Sequence, residues 1–125
     1  MQHIEDNEQI LLFNWARAQS GKYPELDLLF HIPNGGKRNA REAARFKQMG
    51  VKPGVPDIFL PIARGRFHGL FIEMKSPNGR LSDNQRKWLE TLNRKGYACC
   101  VCFGFEEAQN DILRYLEGKL GEDNG

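Results

Sequence analysis

Pro56-Asp57-Ile58-Phe59-Leu60-Pro61 and Gly69-Leu70-Phe71-Ile72-Glu73-Met74-Lys75 are two short apolar runs on either side of the polar segment 63–68, which holds Gly65. Runs of this kind with a glycine-containing connection read as a β-hairpin. A turn centred on Gly65 pairs residues whose numbers add to 130, which sets Asp57 opposite Glu73. Directly opposed side chains on an antiparallel pair hold their Cβ atoms about 4.5–5.5 Å apart. Strand side chains alternate faces, so Lys75 shares the face of Glu73 and Met74 points away. Two carboxylates and an ammonium then converge. Neighbouring carboxylates repel and ionise reluctantly unless a cation neutralises them. Mg²⁺ does so while keeping waters and accepting phosphate oxygens, which is the arrangement for metal-assisted phosphodiester hydrolysis. The bland alternative is a Glu73–Lys75 ion pair at the surface, where charged residues usually lie. Pro-Asp, the opposed register and the apolar flanks favour the site.

The chain has 125 residues, 40% hydrophobic and 27% charged, enough for one core and one domain. We expect that domain to span 1–120, with a disordered polar tail over 121–125. The net charge of +2 says little about a nucleic-acid partner. Local distribution says more, because Lys37, Arg38, Arg41, Arg45, Lys47 and Lys52 fall within sixteen positions that hold one acid, Glu42. Such a run can neutralise phosphates, or it can be a solvated helix face. No stretch approaches the ~20 apolar residues of a membrane span, and no apolar signal core opens the chain. An intracellular, soluble protein is expected. Cys99, Cys100 and Cys102 lie in an apolar run and lack the second pair that a zinc site needs, so they read as buried thiols.

Ile4, Leu11, Leu12 and Trp15 recur at helical spacing, which predicts a helix over about 4–18. A strand is expected over 26–32, a tight turn at Asn34-Gly35-Gly36, and a second helix over 38–49 closed by Gly50. After the hairpin, Ser82-Asp83-Asn84-Gln85 has the form of a capping box, with Trp88, Leu89 and Leu92 as the buried stripe. A strand over 97–103 and a helix over 106–117 complete the order. The fold class is α/β, a central mixed sheet containing the hairpin with helices around it. The step from Lys75 through the Trp88 helix to the last strand is a parallel crossover, for which the right-handed form is expected.

The pattern Pro56-Asp57…Glu73-Met74-Lys75 resembles the PD-(D/E)XK nuclease superfamily. Its surroundings resemble the VRR-NUC, or virus-type replication-repair nuclease, branch: His31-Ile32-Pro33-Asn34-Gly35-Gly36-Lys37-Arg38, then Gly50-Val51-Lys52-Pro53-Gly54-Val55-Pro56-Asp57, then 82–88. The Pro-Asp…Glu-x-Lys signature is of low specificity, whereas the Gly-Val-x-x-Gly-Val-Pro-Asp lead-in is sharper. The resemblance implies a restriction-endonuclease-like core and Mg²⁺- or Mn²⁺-dependent cleavage of DNA. It implies metal ligands in Asp57, Glu73 and the Met74 backbone carbonyl, and a catalytic role for Lys75. From the first helix it implies a further catalytic acid, Glu5, supported by Gln9 four residues on, with Glu8 as the competing acid. Gln85 is the corresponding supporting residue on the later helix, although the capping box alone also accounts for it. DNA contacts are expected from His31, Asn34, Lys37, Arg38, Arg41, Arg45 and Lys52, with Arg38 the better phosphate ligand because its guanidinium is a fixed fork of donors. Viral single-domain members resemble junction resolvases, so a homodimer on branched or Holliday-junction DNA and a phage or prophage origin are expected. The rival readings are a catalytically silent DNA-binding module of the same fold, an RNA nuclease, and a protein-interaction domain.

Overall fold

The computed structural model describes residues 2–33 and 39–121. Helix α1, Gln2–Gln19, opens the chain as the apolar spacing predicts and buries Leu12 and Ala16, four residues apart on one face. The strand expected next is mostly something else. Pro24–Leu28 is a 3-10 helix, and only Phe30–His31 forms a strand, β1. Pro24 sits at the start of that helix, where its fixed φ and missing donor are suited. Leu26 and Leu29 both bury, a spacing of three rather than two, so a tight helical turn wins over the strand.

Helix α2, Ala40–Gln48, is capped by the Asn39 side chain, which accepts from Glu42 N at 2.8 Å, and it has no buried residue. The expected Asn34-Gly35-Gly36 turn lies outside the described residues. Strands β2, Ile58–Leu60, and β3, Leu70–Met74, pair antiparallel as Ile58 with Ile72, Phe59 with Phe71 and Leu60 with Leu70, each pair adding to 130. Asp57 lies one residue before β2 rather than within it. The tip differs from the expectation by half a residue. Arg64 and Phe67 bridge in both directions around Gly65 and Arg66, with Gly65 at φ +56°. Three residues, 61–63, then face two, His68 and Gly69, and this bulge restores the register.

Ser82 and Gln85 form the expected capping box at the start of helix α3, Asp83–Arg94. It leads to strand β4, Ala98–Cys102, which pairs parallel with β3, and helix α4, Phe105–Leu116, follows. The four strands run in the order β1-β2-β3-β4. One sheet face, with Ile58, Leu60, Leu70, Ile72 and Met74, packs with Leu12 and Ala16 of α1 and Ala108, Ile112 and Tyr115 of α4. The alternating residues point to the other face, where α3 lies against β4. Phe59 stacks on Phe71 at 4.2 Å on that second face, with Phe30 and Tyr97 edge-on to the pair. Of the cysteines, all on the edge strand β4, only Cys102 is fully buried, while Cys99 and Cys100 are half-buried. All three are free, and burial pushes the Cys99 thiol up to about 11 and the Cys100 thiol up to about 12. No described helix is long and apolar enough to cross a membrane.

Candidate active site

The loop ahead of β2 delivers Asp57. Gly54 has φ +88°, and a Cβ on it would come within 2.7 Å of Asn84 in the first turn of α3. Only glycine permits that approach. One turn along α3, Trp88 Nε1 donates to Pro53 O at 3.1 Å, and Pro56 is buried. The loop is thus pressed against the helix that carries Gln85. Asp57 O accepts from Ile32 N at 2.6 Å and from His31 Nδ1 at 2.8 Å. Asp57 Oδ2 accepts from Met74 N at 2.9 Å, so the carboxylate reaches across to β3 as the hairpin register requires.

Among the described residues Glu73 is the buried charged one, 2% exposed. Its Oε2 accepts from Gln85 Nε2 at 3.2 Å and lies 4.0 Å from Lys75 Nζ, whereas its Oε1 is buried with no hydrogen-bond partner. Burial, foremost, pushes its carboxyl up to about 9. The charge on Asp57 and a hydrogen bond that only protonated Glu73 can donate to Asp57 act in the same direction, Glu5 adds to the rise, and Lys75 opposes it. The two carboxyl groups are therefore neighbours whose charges oppose each other.

Lys75 Nζ donates to Gln85 Oε1 at 2.8 Å, and the same oxygen accepts from Ser82 N at 2.9 Å. Gln85 is at once half of the helix cap and a bridge between Glu73 and Lys75. An oxygen-only donor set with one orphaned carboxylate oxygen fits a hard divalent ion whose remaining ligands are water and phosphate. Among the described residues no group of three His, Cys, Asp or Glu is close enough to form a metal cluster. Glu5 acts on Glu73 through its charge.

The competing acid has a different task. Glu8 Oε1 accepts from Phe105 N at 2.9 Å and caps α4 from a distance of 97 residues, which no local sequence signal marks. Gln9 is half-buried, and its side chain makes no hydrogen bond among the described residues. His31 is exposed at the edge strand, tethered to the Asp57 carbonyl. Arg41, Arg45 and Lys52 are exposed, on α2 and the loop after it. Asn34, Lys37 and Arg38 lie outside the described residues. The sequence reading missed the Gly54 contact, the Trp88 link and the Asp57–Met74 bond. Of these, Gly54 carried a visible sign in its Gly-Val-Pro-Asp setting.

A mixed sheet flanked by four helices, with a Pro-Asp carboxylate reaching a Glu-x-Lys strand, defines a nuclease-like α/β domain. The VRR-NUC domain model matches residues 5–106, and the chain belongs to that family, which implies a nuclease-type function. A solved structure described as a VRR_NUC domain protein is 37% identical and superposes with a TM-score of 0.80, covering 92% of this chain and 89% of that one. No curated protein matches the chain.

Proposed function

We propose that this chain is a metal-dependent DNA endonuclease, selective for branched or otherwise structured DNA such as a Holliday junction, working in replication, recombination or repair. The observation that carries the reading is the buried Glu73 carboxyl, with one oxygen unpartnered, turned toward Asp57 beside a tethered Lys75. Mg²⁺ or Mn²⁺ would be held by Asp57, Glu73 and the Met74 backbone carbonyl, with Glu5 supplying further negative charge. When bound, such an ion acidifies a water ligand, polarises the phosphoryl oxygen and offsets transition-state charge.

The chain's own residues do the rest. Lys75 gives one of its three N–H donors to Gln85, leaving two for the attacking water or a phosphate oxygen. Water oxygen bonds to phosphorus as the P–O ester bond breaks, and the leaving alcohol oxygen takes a proton. His31 Nδ1 carries the hydrogen that it gives to the Asp57 carbonyl, since a carbonyl only accepts, and this leaves Nε2 for a phosphate. Asn34, Lys37, Arg38, Arg41, Arg45 and Lys52 hold the strand by its phosphates, a salt-sensitive grip. Resolving a four-way junction takes two symmetric cuts, so a homodimer with two sites suits the substrate.

The test is cleavage of linear, nicked, flapped and four-way DNA with Mg²⁺, Mn²⁺ or Ca²⁺. Wild type should cut the branched forms with the first two ions and bind without cutting in Ca²⁺. Asp57→Ala and Glu73→Ala should abolish cutting but keep binding. Wild-type rates in either variant, or a wild-type protein inert on every DNA and ion, would overturn the reading. Preference for RNA substrates would reassign it to an RNA nuclease.

A further inference from the structure

Beside the carboxylate pair is an open groove of roughly 280 Å³ whose walls are Ile32, Pro33, Val51, Val55 and Trp88, with Lys52 at its edge. Two contacts and a helix position tie it to the site. Ile32 N is bonded to the Asp57 carbonyl, Gly54 of the same loop rests on the first turn of α3, and Trp88 is three residues beyond Gln85 on one helix face. The bond from Trp88 Nε1 to Pro53 O fixes the indole so that it can serve as a wall. The volume is at the bottom of the range of small-molecule sites, room for one flat heterocycle.

We propose that this groove receives one unpaired DNA base, stacked on the Trp88 indole, with the adjoining phosphate against Lys52. The apolar walls suit a base and the single ammonium suits its phosphate, whereas a wholly apolar occupant would strip water from Lys52 without replacing it. Stacking on an aromatic ring tolerates any base. Flaps, gaps and frayed junctions offer unpaired bases and intact duplex does not, so the groove would select structure without reading sequence. The inference rests on the nuclease reading to bring a strand to this face, but its test reads binding alone.

The chain has two tryptophans, Trp15 and Trp88, so Trp15→Phe leaves Trp88 as the reporter. Titrated in Ca²⁺ with a flapped oligonucleotide, its emission should fall by about half or more. An abasic residue at the unpaired position should abolish the quenching and weaken binding about tenfold, the low end of base–aromatic stacking. Val51 is 39% exposed at the rim. Val51→Phe should fill the groove with the same two losses and leave affinity for intact duplex unchanged. A 2-aminopurine at the unpaired position reads the contact in the wild-type chain. Equal affinity for base and abasic substrates, or Trp88 emission that responds to protein concentration rather than DNA, as for a second copy in the groove, would overturn the proposal. Base-dependent quenching without cleavage in Mg²⁺ or Mn²⁺ would sink the nuclease reading alone. Cleavage together with binding and emission indifferent to the base would sink the groove alone, and neither signal would sink both.

Discussion

At Glu73 the environment sets a direction that can be measured. Its carboxyl is raised from the ordinary 4.5 to about 9 by burial and by Asp57. Between those values the folded, metal-free protein holds a proton that the unfolded chain has released. Stability from this group is complete below about pH 4.5 and lost as pH rises through about 9. Thermal melts in EDTA should therefore fall by several degrees from acid to alkaline buffer, and Glu73→Gln should flatten that slope. Divalent binding must expel the same proton. Calorimetry at neutral pH in two buffers of different ionisation heat should show roughly one proton released per ion bound by wild type, and none by Glu73→Gln. An invariant melting profile with no proton release would contradict a protonated Glu73.

Gln85 and Gly54 belong to the scale of elements, because each couples a loop or strand to α3. Gln85→Ala removes a capping partner and frees Lys75, so it should cost about 1 kcal/mol of stability and also lower the cleavage rate at saturating DNA. Ser82→Ala removes only the cap, at about 0.5–2 kcal/mol, and should leave the rate per folded molecule near wild type. A Gln85 variant that melts earlier but cuts normally would reduce this residue to a cap. Gly54→Ala adds an atom 2.7 Å from Asn84 at φ +88°, and should cost about 1–3 kcal/mol while slowing cleavage through displaced Asp57. Melting and single-turnover rates measured together check it. The hairpin register and the capping box were legible in the sequence because both are local patterns, a period of two and a four-residue box. The 3-10 helix over Pro24–Leu28 was not, since a short apolar run reads as a strand until Pro24 and the Leu26–Leu29 spacing are weighed. The proximity of Asp57 to β3 and of Glu73 to Lys75 was legible in the spacing, whereas the Gly54 approach is a tertiary contact without a periodic trace.

For the molecule as a whole, α1 and the 3-10 helix after it hold the two ends of α4. At one end Glu8 caps Phe105 N. At the other, Arg64 joins Glu25, just beyond α1, to the Leu116 carbonyl at the close of α4. Glu8→Ala leaves the amide of Phe105 without its acceptor and should cost about 1–2 kcal/mol. Its melting temperature should drop while the Mg²⁺ response of the folded fraction is unchanged. A cleavage defect larger than the loss of folded protein would give Glu8 a share of the chemistry and challenge the choice of Glu5. The tie also has a consequence in time. Translation delivers α1 first, but its cap partner is 97 residues later, so the helix bearing Glu5 gains its anchor only once α4 has been made. A nascent chain on the ribosome thus carries α1 without its clasp to α4 until synthesis has passed residue 105.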